Sequence, residues 1–156
     1  MCRIAGFCSS TSCEGREWTL QRLQKLGFPA ERVEFQGFSA DYLGCYRRVD
    51  IALDTFPYAG GLTTVEALMM GVPVVTKYGN RHGTRFGLSF LSNLGLAELA
   101  APDDAGYVER AVMLAQNMDI LTFLHKKLRH MLQTSPLMDG YRYCREVETL
   151  YFRLCS

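Results

Sequence analysis

Apolar residues recur at helical spacing from position 14 to 26, at Trp18, Leu20, Leu23 and Leu26, and Gly27 follows as a C-terminal stop. Residues 32–38 then alternate apolar and polar, which predicts a half-buried strand. Ser39 is a suitable N-cap for a short helix running to about Arg48, with Tyr42, Leu43 and Tyr46 on one side. The run Val49 to Leu53 is apolar enough for a buried strand ending at Asp54. A loop leads into a helix over 63–70, closed by Gly71, and Pro73 to Thr76 forms a β-branched strand whose first residue tolerates the missing N–H. Positions 83–93 read as helical and 96–99 as a last edge strand. Three helices, over about 103–117, 119–133 and 139–154, complete the pattern. Residues 1–13 stand apart as an irregular segment, because 3–7 is short for a strand and Ser9 to Ser12 is loop material. The rest, 14–156, reads as one lobe.

Strands alternating with helices predict a parallel sheet covered on both faces. With right-handed crossovers this is an α/β fold, a Rossmann-like doubly wound parallel sheet ending in several helices. Such sheets bind ligands beyond the carboxyl ends of their strands, where the strand order reverses. The loops after Phe38, Leu53 and Thr76 are therefore the places to search.

Composition narrows the classes. The chain of 156 residues is 48% hydrophobic and 21% charged, which suits one soluble domain with a real core. Its 17 basic and 16 acidic residues leave a net charge of +1, so no large field draws it to nucleic acid or a membrane surface. Lys126, Lys127, Arg129 and His130 read as the wet face of a helix, and His125 is expected to share it. No apolar run is long enough to span a membrane, and the N-terminus lacks the features of a signal peptide. Six cysteines contain no C-x-x-C pair, which argues for reduced thiols in the cytoplasm rather than zinc or redox chemistry.

The chemistry gathers in Thr55-Phe56-Pro57-Tyr58-Ala59-Gly60-Gly61-Leu62-Thr63-Thr64, between a strand and a helix. Adjacent glycines allow close backbone approach, and the free amides and dipole of the following helix attract an anion. Thr63 and Thr64 add hydroxyls, so a diphosphate suits the loop. Neither the Walker pattern nor the dinucleotide fingerprint is present, which disfavours P-loop kinases and NAD enzymes. A structural alternative stands beside this: Thr63-x-x-Glu66 fits a capping box serving only the helix end. No D-x-D pair is available to hold a cation, so no metal and no other cofactor are expected; the helix N-terminus can carry the charge.

The run from Asp54 through Gly60-Gly61-Leu62-Thr63-Thr64-Val65-Glu66-Ala67-Leu68 to Met70-Gly71-Val72-Pro73-Val74-Val75-Thr76 resembles the donor-binding motif of the SPINDLY and protein O-GlcNAc transferase family. Arg81-His82-Gly83-Thr84-Arg85-Phe86-Gly87 and Ser135-Pro136-Leu137-Met138-Asp139 are similar to two further blocks of that family. The resemblance covers roughly 14–155.

It implies the C-terminal half of a GT-B glycosyltransferase, which holds a nucleotide sugar, commonly UDP-GlcNAc, and passes the sugar to a protein Ser or Thr with inversion. Gly60, Gly61, Thr63 and Thr64 match the diphosphate cradle, whereas Leu62 replaces a usual threonine and removes one hydroxyl. Glu66 falls where related lobes bind the ribose hydroxyls. Tyr42 lies near the residue that packs on uracil, its alternative being a core-facing helix position. Phe38 and Ser39 are placed for base-edge contacts through their backbone. His82 and Arg85 are placed for phosphate or acceptor, the alternative for Arg85 being a pair with Asp54.

The expected partners are thus a nucleotide sugar and, through an N-terminal lobe with helical repeats, a protein acceptor. Neither that lobe nor a repeat of about 34 residues occurs in this sequence. Catalytic residues are accordingly unassigned, and the isolated chain is expected to be a fragment with little or no transferase activity. The alternative is a stand-alone, non-catalytic nucleotide-sugar-binding or interaction module. UDP-glucose and GDP-fucose are the other donors the resemblance leaves open.

Overall fold

A computed structural model describes residues 2–6 and 13–155. The strands are β1 (Ile4–Gly6), β2 (Ile51–Leu53), β3 (Val74–Lys77) and β4 (Ala100–Ala101), and all four run parallel in one sheet in the order β1-β2-β3-β4. The helices are α1 (Cys13–Lys25), α2 (Leu62–Met69), α3 (Phe86–Asn93), α4 (Asp104–Gln116), α5 (Met118–Thr134) and α6 (Gly140–Cys155). The Rossmann-like parallel sheet is present as the pattern implied.

Because side chains alternate along a strand, neighbouring residues of β3 address opposite faces. A Cβ on Gly87 would lie 2.5 Å from Thr76 Oγ1, so α3 packs directly on the Thr76 face. Lys77 Nζ meets Asp104 Oδ1 of α4 at 2.6 Å on the other. Helices therefore cover both faces. Ile51, Ala52, Val74 and Val75 form the middle of the core, against Ala67 and Leu68 of α2, Leu91 of α3 and Leu114 of α4. Leu121, Leu124, Leu128 and Leu132 of α5, spaced three and four apart, bury one stripe of that helix. α6 buries no residue.

α2 ends at Gly71, whose φ of +82° is a left-handed conformation that glycine adopts without strain. A side chain there would also strike the His125 carbonyl oxygen of α5, 2.9 Å from the ideal Cβ position. The expectation for His125 needs correction: it is half-buried, and its Nε2 is buried with no hydrogen-bond partner among the described residues. Lys126, Lys127, Arg129 and His130 are exposed, as the charge pattern required.

Four further expectations need correction. Residues 4–6 do form a strand, short but paired in register with Ile51 to Leu53. Residues 33–39 do not: their burial alternates, yet the backbone joins no ladder among the described residues. Alternation reports one covered face, and a strand needs a hydrogen-bonding neighbour as well. In consequence Phe38 and Ser39 do not follow a strand end, and the strand order shows no reversal. The helix expected from Ser39 is a 3₁₀ helix over Leu43–Arg48, with Tyr42 at its N-cap and no side-chain cap. The edge strand lies just beyond the expected 96–99, at Ala100–Ala101, behind a 3₁₀ turn. The serine run and Cys8 lie outside the described residues; Cys2, Cys45, Cys144 and Cys155 are free thiols.

Candidate functional site

At the carboxyl end of β2, Asp54 organises the following loop. Its Oδ1 accepts from the Gly60 amide at 2.7 Å and its Oδ2 from Thr76 Oγ1 at 2.7 Å. Its carbonyl accepts from the Tyr107 hydroxyl of α4 at 2.8 Å. Burial drives the carboxyl above the ordinary aspartate range, although the Gly60, Thr76 and Thr55 bonds pull the other way. Thr55 Oγ1 donates to the Tyr58 carbonyl at 2.6 Å, so the turn is braced at both ends.

Gly60 and Gly61 differ in kind. An ideal Cβ on Gly60 would lie 2.7 Å from Thr64 Oγ1 and 2.8 Å from Thr63 Oγ1, and no side chain fits. A Cβ on Gly61 would meet nothing within 4 Å. Gly61 is the N-cap of α2 and no side chain caps that helix, so its leading amides keep the positive end of the dipole available. Leu62 is exposed and Thr63 half-buried. Thr64 is buried, with its hydroxyl donating to the Gly60 carbonyl at 3.1 Å. It braces the loop from beneath.

The capping box does not form. α2 begins one residue earlier than the pattern suggested, which removes Thr63 from the cap position. Glu66 instead turns toward Tyr42: its Oε1 accepts from the Tyr42 hydroxyl at 2.9 Å, and the residue is only 8% exposed. Its other oxygen makes no hydrogen bond among the described residues. The carboxylate raises the pKa of the Tyr42 phenol, chiefly through that hydrogen bond. Tyr46, on the same 3₁₀ helix, is buried and donates to the Thr63 carbonyl at 3.4 Å. Burial first and Glu66 second push its phenol above the usual range.

The structure thus brings Gly60, Gly61, Leu62, Thr63, Thr64, Glu66 and Tyr42 into one neighbourhood. Tyr42 is about half exposed, not a core residue. Phe38 is 94% exposed, and Ser39 makes no capping bond. His82 and Arg85 are exposed on the loop beyond β3, and the His82 ring meets Phe86 edge-on at 5.2 Å. Arg85 does not pair with Asp54, whose carboxylate is already bonded to Gly60 and Thr76. Sequence reasoning missed Asp54 as the organiser, with Thr76, Tyr107 and Tyr46 as its supports. An aspartate at a strand end just before paired glycines was the available signal. Among the described residues no group of three His, Cys, Asp or Glu is placed to hold a metal ion.

On the opposite face of the same sheet end, an open cavity of about 340 Å³ lies between Phe56, Lys77, Asp104 and Tyr107. Lys77 Nζ sits 3.8 Å from the Phe56 ring centroid while bound to Asp104, so its charge is already partnered within the chain.

A parallel sheet covered on both faces, with the uncapped, glycine-led N-terminus of α2 beyond the carboxyl end of β2, and its likeness to a solved O-GlcNAc transferase place the chain among GT-B glycosyltransferase folds. The sequence model of glycosyl transferase family 41 matches residues 11–147, and the chain belongs to that family. It is 39% identical over 153 residues to a tomato (Solanum lycopersicum) protein named as a probable UDP-N-acetylglucosamine–peptide N-acetylglucosaminyltransferase SPINDLY, covering 96% of this chain and 16% of that one. The protein of the same name from Eustoma exaltatum is also 39% identical, over 96% of this chain and 17% of its own length. Among solved structures, a lysine-to-methionine mutant of the Thermobaculum terrenum O-GlcNAc transferase superposes with a TM-score of 0.84 at 33% identity, over 91% of this chain and 28% of that one. The chain therefore spans about a sixth of the curated relatives it matches. No helix among the described residues is long and apolar enough to cross a membrane.

Proposed function

We propose that this chain is the nucleotide-sugar-binding lobe of a protein O-glycosyltransferase that uses UDP-GlcNAc and transfers the sugar to Ser or Thr with inversion. The observation that carries the reading is the start of α2: a helix with no side-chain cap, led by Gly61 on its open side and fixed by Asp54 through Gly60. Such a terminus stabilises a diphosphate without a metal, because amides and helix dipole supply the positive charge. Glu66, with one unbonded oxygen, is the acceptor for ribose hydroxyls, and the Tyr42 ring lies beside it for the base. Exposed Arg85 and His82 add charge and a proton donor at the phosphate or acceptor side. Thr64 contributes by holding Gly60, and Leu62 offers no hydroxyl. The acceptor groove and the catalytic base are assigned to parts of the enzyme outside this stretch. The same reading places the protein in the cytoplasm.

The test is calorimetric titration of the folded chain with UDP, UDP-GlcNAc, GDP and GDP-fucose. Heat is expected with UDP and UDP-GlcNAc, and weaker or no heat with the guanosine nucleotides. A folded sample that binds none of the four sinks the reading. Glu66→Ala is expected to weaken UDP about tenfold, the scale of one charge-assisted hydrogen bond, while moving the melting temperature little. A large fall in melting temperature with unchanged affinity would make Glu66 structural.

A further inference from the structure

Glu66 is only 8% exposed, and a glutamate side chain has three rotatable bonds to fix before it can present an oxygen in one direction. The atom that fixes it belongs to Tyr42. The Tyr42 hydroxyl donates to Oε1 at 2.9 Å, and no other hydrogen bond engages the carboxylate among the described residues. After donating its proton, the phenol oxygen retains a lone pair and can itself accept. Two acceptors, Glu66 Oε2 and Tyr42 Oη, therefore flank the same bonded atom, Oε1.

Tyr42 is held where it is by its own segment. The 3₁₀ helix it leads is anchored one turn later by Tyr46, which is buried and donates to the Thr63 carbonyl at 3.4 Å. Thr63 belongs to the first turn of α2, so this link ties the Tyr42 segment to the helix that carries Glu66. The phenol is kept protonated, and thus a donor, by the carboxylate beside it.

Resting on the donor-lobe reading above, we propose that Tyr42 is the positioning residue for Glu66 and that the two side chains together read a vicinal diol, the ribose of a nucleoside diphosphate. Glu66 Oε2 accepts from one hydroxyl and Tyr42 Oη from the other. Selectivity for ribonucleotides over deoxynucleotides then resides in a pair of residues rather than in the carboxylate alone, and half of it depends on a phenol oxygen.

The experiment compares UDP with 2′,3′-dideoxy-UDP on the full chain and on Tyr42→Phe, which keeps the ring and removes only the hydroxyl. The wild-type chain should favour UDP by about a hundredfold, the sum of two lost hydrogen bonds. Tyr42→Phe should weaken UDP by about tenfold and leave the dideoxy compound within about twofold, so that discrimination falls by an order of magnitude. Discrimination retained in full by Tyr42→Phe overturns the proposal while leaving the donor-lobe reading intact. So does an equal loss for both nucleotides, which would make the hydroxyl a packing support. A wild-type chain that is folded and binds neither compound refutes the donor-lobe reading itself. Melting curves for both proteins establish that the variant is folded.

Discussion

Residues 51–77 carry Glu66 and residues 33–48 reach it, and the two stretches are held by different means. The first stretch is strand, loop, helix and strand, and its loop is tied from several directions: Asp54 to Gly60 and Thr76, Thr55 to Tyr58, Thr64 to Gly60, and Tyr107 to the Asp54 carbonyl. The second stretch is an extended run outside the sheet, followed by one 3₁₀ helix. Two tyrosine hydroxyls join it to α2, and Arg48 bonds with Glu34 and Gln36 at the surface. A network of mostly buried or half-buried bonds preorganises the loop that leads into α2, whereas the segment carrying Tyr42 rests on a few contacts at the edge of the molecule. The loop is fixed from several directions, and the Tyr42 segment is attached to it through two hydroxyls.

This contrast can be broken most severely at Gly60. Gly60→Ala forces a methyl group against two threonine hydroxyls, and the expected loss is roughly 2 kcal/mol of stability, read from denaturant midpoints. The neighbouring Gly61→Ala meets open space, so its stability should stay within about 0.5 kcal/mol of wild type, with nucleotide affinity reduced. Equal destabilisation by the two would deny the division of labour between them.

Asp54→Ala leaves the Gly60 amide and the Thr76 hydroxyl without their acceptor, at an expected cost of about 1–3 kcal/mol. The cost should depend on pH. Burial raises the Asp54 pKa in the folded chain, so the folded state binds this proton more tightly than the unfolded state does. That contribution is complete below the ordinary aspartate value and is lost as pH rises through the raised one. The gap between wild type and Asp54→Ala should therefore be widest in acid and narrow toward neutral pH. A gap that widens with rising pH would reverse the assignment.

The smallest effect belongs to the second stretch. Arg48→Ala removes an ion pair whose side chains are 50% and 69% exposed, and should cost less than about 0.5 kcal/mol. A larger loss in a thermal melt would mean that residues 33–48 are held as firmly as the loop.

The long regular elements could be read from the sequence because burial imposes a period on them. The leucines of α5 and the apolar runs at β2 and β3 announce themselves. The pieces that could not be read depend on partners remote in sequence. Strand β1 exists because Ile51 to Leu53 lies beside it, and three residues alone carry no pattern. Residues 33–39 carry the pattern without the neighbour. Within the site, the paired glycines and threonines were legible as the loop that opens α2. The cap pattern misled because it cannot show which residue α2 starts on. His125 looked like a member of a basic, wet helix face, yet it is half-buried and its Nε2 is buried.

The Tyr107 hydroxyl closes on the Asp54 carbonyl across 53 positions of chain. A bond of that span cannot form early as the protein is made. Until α4 has left the ribosome, the loop behind Asp54 lacks one of its braces, and chain closure of that length is slow and entropically costly. The site should thus mature late in synthesis, and a nascent chain halted before Tyr107 would carry the loop sequence without its finished shape.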